Sequence, residues 1–144
     1  MTDRTCRAEF RIHSEVTDAH GVADREILDF RADGYVRSGQ DGAVVFHYHE
    51  DAGGQRTRCT VTVFEDGVVT VLREGAAEVR FVFEPGARYE TVYKAAGYSF
   101  DAEVETEETK FERTETGGSL AIRYRMKIGG VSRKYDFSLA CFAV

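Results

Sequence analysis

The carboxy-terminal stretch 118–143 predicts a β-hairpin and decides the fold. It reads GSLAIRYRMKIGGVSRKYDFSLACFA, and apolar side chains occupy every second position on both arms. Successive side chains of a strand point to opposite faces, so this alternation is typical of two half-buried strands. Gly129-Gly130 suits a two-residue turn, because such a turn needs positive φ angles. The turn predicts the cross-strand pairs Ile128–Val131, Met126–Arg133, Tyr124–Tyr135, Ile122–Phe137 and Leu120–Leu139.

The same alternation extends over most of the chain before this hairpin. It predicts strands at residues 4–16, 25–37 and 43–50, and five more between 56 and about 107, joined by short turns. A short separate strand at 110–114 would precede the closing hairpin. In the five-strand segment the inward row never changes face, with predicted pairs that include Val63–Val69, Val71–Val79 and Tyr93–Phe100. Gly34 predicts a bulge or bend in the second strand. In the third strand either the Val44 row or the His47 row could face inward.

These strands predict an all-β fold in one domain spanning residues 1–144. We expect a closed up-and-down antiparallel meander barrel of about eight to eleven strands with little or no helix. An open sheet of this length would expose two edges, so the first strand should pair with the last.

Composition narrows the function classes. The 144 residues are 42% hydrophobic and carry a formal net charge of −6, which disfavours nucleic acid and anionic membrane surfaces as partners. The charged amino terminus lacks an apolar signal core, which predicts a cytoplasmic protein. Cys6, Cys59 and Cys141 show no metal-like spacing, and we expect all three to be reduced and buried in inward rows.

Arg73 is the first candidate ligand-binding residue, because the register places it in the inward row opposite Cys59. A buried guanidinium needs a partner. The partner could be the anionic group of a ligand. It could instead be a structural carboxylate from Glu50, Glu74 or Glu84, or the side chain could extend to water at the barrel rim.

Tyrosines in the inward rows are the second candidate. Their hydroxyls need hydrogen-bond partners, which water or a polar ligand could supply, although ordinary core tyrosines explain them equally well. The candidate ligand-binding tyrosines are Tyr89, Tyr93, Tyr98, Tyr124 and Tyr135.

Two further patterns favour ordinary explanations. His47 and His49 have the spacing of a strand-borne metal pair, but no third ligand can be placed near them, so we expect no metal site. The acidic row Asp101, Glu103, Glu105 and Glu107 predicts a solvated outer face with Arg88 or Lys94 beside it. No phosphate-binding glycine motif or nucleophile elbow occurs, so nothing in the sequence supports catalysis or a cofactor.

The order of landmarks resembles the YwiB-like family, small bacterial proteins of unknown function with a calycin-like, lipocalin-type β-barrel. The resemblance covers nearly the whole chain and implies a closed barrel, a cytoplasmic bacterial protein and no assigned activity. His47 and His49 depart from the family pattern. The matching stretches are DFRADGY at 29–35, YHE at 48–50, LREG at 72–75, FEPG at 83–86, residues 89–97 and residues 120–128.

Two functions from different classes follow from the sequence. The first is a binding module whose lumen or mouth holds a small, partly apolar, anionic molecule. The alternative is a non-catalytic interaction or structural barrel with a filled core, and an enzyme ranks behind both. A cavity of about 300 Å³ or more lined by the tyrosines would favour the binding module. The oligomeric state does not follow from the sequence.

Overall fold

The computed structural model describes residues 4–18, 25–39, 41–52, 54–114 and 117–144. These residues form ten strands and no helix, so none of them forms a helix that could cross a membrane. The strands are β1 (Arg4–Asp18), β2 (Glu26–Ser38), β3 (Val44–Ala52), β4 (Gln55–Val63), β5 (Val69–Gly75), β6 (Ala77–Phe83), β7 (Arg88–Ala95), β8 (Tyr98–Thr114), β9 (Gly117–Ile128) and β10 (Val131–Ala143).

The ten strands that the described residues form close into an antiparallel barrel in which each strand pairs with its sequence neighbours and β1 pairs with β10. The β1–β10 register runs from Ala8↔Ala143 to Asp18↔Arg133, which confirms the predicted closure of the first strand on the last. Closure removes the two edges that an open sheet would expose.

The closing hairpin has the predicted register at all five predicted pairs, from Val131↔Ile128 to Leu139↔Leu120. Its turn glycines, Gly129 and Gly130, have φ angles of 56° and 81°, as a two-residue turn requires. The registers predicted for β4–β5 and β7–β8 are also confirmed.

The predicted register between β5 and β6 is wrong by two residues. Val71 lies opposite Phe81 rather than Val79, and Val69 lies opposite Phe83. The predicted pair Val71–Val79 centres the turn on Gly75, but Gly75 continues β5 and pairs with Thr57, so the chain reverses later. A shift of two residues keeps each side chain on its face, which is why the inward row was still identified.

The break predicted between a strand ending near 107 and another at 110–114 is also wrong. β8 runs unbroken from Tyr98 to Thr114, with a register irregularity between Thr106 and Glu108. One extra residue in a strand reverses the alternation beyond it. Even-numbered residues such as Val104 are therefore buried before the bulge, and the odd-numbered Phe111 packs against the core after it.

The structure resolves the facing of the third strand, because Val44, Phe46 and Tyr48 are buried while His49 is exposed. Gly34 makes no bulge, since its pairs with Ala8 and Tyr48 are in regular register. A Cβ at Gly34 would overlap the backbone carbonyl of His47, so glycine is required there by close approach of two strands.

The prediction of three buried cysteines is wrong for one of them. Cys59 and Cys141 are buried and free, but Cys6 is free and exposed. Cys6 belongs to the same inward-facing row of alternate residues as Ala8 and Phe10. It lies near the beginning of β1, however, beyond the Ala8↔Ala143 pair where the ladder with β10 ends. Alternation gives the face on which a side chain lies, but burial also requires a neighbouring strand on both sides.

The acidic row on β8 faces outward and is paired with arginines. Arg88 on β7 lies 3.6 Å from Glu103 and 3.7 Å from Glu105, as predicted. On the other side, Arg125 of β9 lies 3.6 Å from Glu107. Lys94, the alternative partner, instead sits opposite Ser99 in the β7–β8 register.

Candidate functional site

The barrel is filled at one end and hollow at the other. The β5–β6, β7–β8 and β9–β10 turns lie at the hollow end, and the side chains there leave a cavity of about 410 Å³, here called the cup. Phe10, Phe46 and Leu120 belong to the buried core on the filled side. The apolar wall of the cup includes Val71, Phe81, Phe83, Ile122, Met126 and Phe137.

Arg73 lies on the cup wall and is paired with Glu50. One Nη2 hydrogen of Arg73 is donated to Oε2 of Glu50, and the Cys59 thiol approaches the same oxygen at 3.5 Å. Burial is the largest effect on the pKa of Arg73 and lowers it, but Glu50 together with Cys59, Tyr93 and Tyr48 outweighs burial, so the pKa of Arg73 is raised. Of the partners weighed from the sequence, Glu50 is the one found. The Nε of Arg73 is buried and has no hydrogen-bond partner among the described residues.

Two tyrosines form a stacked pair on the opposite wall. Tyr124 of β9 and Tyr135 of β10 are cross-strand partners. Their ring centroids are 4.9 Å apart with an interplanar angle of 2°. Phe83 extends the cluster, with its centroid 4.6 Å from that of Tyr124. Both tyrosines line the cup.

The hydroxyl groups around the cup remain protonated and able to donate. Burial raises the pKa of Tyr48 well above its ordinary value, and it also raises the pKa values of Tyr124 and Tyr135. Burial likewise raises the pKa of Cys59 to about 12, so this thiol is not a nucleophile at neutral pH.

The structure brings together four of the six residues predicted to bind a ligand. Arg73, Tyr93, Tyr124 and Tyr135 all line the cup. Tyr89 is half-buried opposite Val104 and does not line it. Tyr98 was wrongly placed inside the barrel, since its side chain is 68% exposed next to the β7–β8 turn. Tyr98 belongs to the inward-facing row of β8 but lies beyond the end of the cup. Cys6 is exposed for a similar reason, because it lies near the end of its own strand.

Two polar residues of the cup, Tyr48 and Glu50, were missed as candidate site residues. Both lie on β3, and the sequence left the facing of that strand open because both of its rows contain apolar residues. The signal that could have found them is Arg73 itself. An inward arginine needs an anionic partner, and choosing Glu50 from the three carboxylates weighed for it would have fixed the facing of β3.

The histidine pair lies on β3. His47 lies on the outer side of β3, where its Nδ1 is 3.4 Å from the hydroxyl of Thr60. Burial, with Arg37 and Arg58 nearby, lowers its pKa. No group of three His, Cys, Asp or Glu side chains within the described ranges is placed to hold a metal ion.

The chain is similar to known proteins both in sequence and in fold. Residues 11–139 match the family described as "Domain of unknown function (DUF1934)". The chain is 27% identical over 107 residues to the "Uncharacterized beta-barrel protein YwiB" of Bacillus subtilis (strain 168), covering 74% of this chain and 73% of that protein. The crystal structure of ywiB protein from Bacillus subtilis has a TM-score of 0.86 to this structure at 21% identity, covering 97% of this chain and 93% of that one. The latter likeness shows a shared fold, and the resemblance drawn from the sequence is confirmed.

Proposed function

Because the chain belongs to the DUF1934 family, whose description assigns no activity, we propose a function from the geometry of the cup. The protein binds a small, partly apolar molecule that carries one anionic or hydrogen-bond-accepting group. The observation that carries the proposal is the unfilled cavity of about 410 Å³ at one end of the barrel. This volume is within the usual range for small-molecule sites, which is roughly 300–1,000 Å³.

The apolar part of the ligand is inferred from the wall. Aliphatic and aromatic side chains cover most of the cup, among them the stacked rings of Tyr124 and Tyr135, and such a wall suits an apolar group. A barrel selected only for stability gains from filling this volume, because unfilled apolar cavities are destabilising. The cavity therefore favours a binding module over the alternative of a filled structural or interaction barrel.

The accepting group of the ligand is inferred from the polar side chains. The carboxylate of Glu50 is already engaged by Arg73 and Cys59. A second carboxylate on the cup wall, that of Glu26, lies 3.7 Å from Arg133. The donors of the cup are a guanidinium with five N–H groups and phenols with one O–H each. Arg73 has an unpartnered buried Nε, and Tyr48 and Tyr124 have raised pKa values that keep their hydroxyl protons in place. A carboxylate, sulfonate or carbonyl oxygen complements this set.

Two matched fluorescent probes test the proposal. Anilinonaphthalenesulfonate is apolar and anionic, and phenylnaphthylamine has the same ring system without the sulfonate. We expect the wild type to bind both and to prefer the sulfonate by about tenfold, the size of one charge-assisted hydrogen bond. The double variant Arg73→Met/Glu50→Gln should bind the two probes equally, because the charged donor is removed.

A variant that fills the cup provides the control for location. Ser14 lines the cup, and Ser14→Trp should abolish binding of both probes. Ser99 is exposed near the β7–β8 turn, so Ser99→Trp should bind as the wild type does. Cooperative unfolding must be verified for each variant, because anilinonaphthalenesulfonate also binds partly unfolded states. Equal binding by Ser14→Trp and wild type would refute the cup as the site.

A further inference from the structure

The barrel has a gap in one wall. The β2–β3 ladder ends at the pair Gly34↔Tyr48. Both strands continue from there towards the hollow end, β2 back to Glu26 and β3 on to Ala52, but no described residue pair joins them. The backbone edge of β2 over residues 26–33 therefore lacks its β3 partner. A cleft of about 750 Å³ occupies this gap.

The cleft adjoins the cup. Leu28, Glu50 and Arg73 line both spaces. The position of Arg73 follows from the ladder, because Tyr48 pairs with Cys59 and Cys59 pairs with Arg73. Arg73 therefore lies at the level of the Gly34↔Tyr48 pair, where the β2–β3 ladder ends. This end of the cleft is called the vertex. The Nε of Arg73 is buried there without a partner among the described residues.

The cleft differs from the cup in chemistry. Charged side chains of both signs line it, with Arg31 4.0 Å from Glu9 and Arg56 3.1 Å from Asp51. The apolar side chains Leu28, Phe30 and Ala32 also line it. An alkyl or aryl tail would leave the polar backbone groups of the β2 edge without partners, whereas a peptide backbone satisfies them.

We propose that the ligand is the carboxy-terminal end of an extended peptide. Its backbone lies in the cleft along the free edge of β2. Its terminal carboxylate meets Arg73 at the vertex, and its apolar last side chain enters the cup. This inference rests on the proposed binding function of the cup and names the class of ligand. The chemistry combines addition of a strand to a sheet edge with capture of a terminal carboxylate, two recurring modes of peptide recognition.

The experiment uses a short fluorescein-labelled peptide of alternating threonine and valine that ends in phenylalanine, as the free acid and as the carboxy-terminal amide. Fluorescence anisotropy should show that the free acid binds at least about tenfold more tightly than the amide, since the amide cannot pair with a guanidinium. Hydrogen exchange with the unmodified protein should show that the free acid protects amides of residues 26–33. Anilinonaphthalenesulfonate should displace the peptide.

Variants separate the cleft from the cup. Ala32 lines the cleft and does not line the cup, so Ala32→Trp should abolish peptide binding and leave binding of the fluorescent probes unchanged. Ala121→Trp, which adds the same side chain at an exposed position of β9, should alter neither. If the probes bind in the cup but the peptide does not, or if acid and amide bind equally, the peptide inference is overturned and the cup binds a small amphiphile. If neither probes nor peptide bind, the proposed function falls as well.

Discussion

Replacing Arg73 with methionine should destabilise the barrel by leaving Glu50 unpaired. The pair joins β3 to β5 across β4. The carboxylate of Glu50 accepts hydrogen bonds from both the Arg73 guanidinium and the Cys59 thiol. Methionine retains most of the apolar stem of arginine and removes the charge. The change therefore isolates the ion pair from the packing around it.

The size of the effect follows from how deeply the pair is buried. Breaking a fully buried pair costs about 3–5 kcal/mol, whereas exposed pairs contribute about 0–1 kcal/mol. The side chain of Glu50 is 17% exposed and that of Arg73 is 31% exposed, so water in the cup partly solvates both. We expect Arg73→Met to cost about 2–3 kcal/mol, which lowers the melting temperature of a domain of this size by roughly 5–10 °C.

Urea and thermal denaturation of ligand-free protein measure this loss. Arg73→Met/Glu50→Gln should recover to within about 1 kcal/mol of wild type, because no charge remains unpaired. Arg56→Met is the surface control. It breaks an exposed pair with Asp51 at 3.1 Å and should cost less than about 1 kcal/mol. If Arg73→Met is as stable as wild type, or if the double variant is no better than the single one, the pair does not stabilise β3 against β5.

Two other predictions concern the titration of His13 and the reactivity of the three cysteines. The hydrogen bond to Asp29, at 2.5 Å, raises the pKa of His13 above its ordinary 6.5. The hydrogen bond between His13 and Asp29 therefore stabilises the fold fully below the ordinary pKa, and this stabilisation is lost as pH rises through the raised pKa. The urea midpoints of wild type and His13→Gln should differ more in acid than in alkali. A constant difference across pH would contradict this. Burial raises the pKa of Cys59 to about 12 and that of Cys141 to about 11, whereas Cys6 is exposed. A disulfide reagent should therefore react quickly with Cys6 alone. Fast reaction of all three thiols would show that the barrel opens readily.

The sequence predicts this fold well because turns and alternation determine register together. Gly129-Gly130 and Glu65–Gly67 fix where the chain reverses, and one slipped residue would move a whole apolar row to solvent. The errors arose where one of these signals was missing. Gly75 remains in its strand instead of turning, and the bulge at 106–108 reverses the alternation without a turn residue to mark it.

The site is less predictable than the fold for a physical reason. Parity indicates that Arg73 and Tyr124 face inward, but it cannot distinguish a filled interior from a hollow one. The cup depends on how far each strand extends past its neighbours, and the cleft depends on where the β2–β3 ladder ends. Tyr98 shows the same limit from outside, since it has inward parity and lies beyond the barrel end. These are properties of strand pairs, and a single strand's pattern does not contain them.

Native mass spectrometry of freshly purified protein tests the central claim most directly. We expect wild type and Ser99→Trp to carry a bound molecule after gentle purification, and Ser14→Trp, with its cup filled, to carry none. Collisional release and mass measurement would then identify the molecule as a peptide or a small amphiphile. A wild type that has no adduct and binds neither fluorescent probe, or an adduct retained unchanged by Ser14→Trp, would contradict the claim that the cup is a binding site.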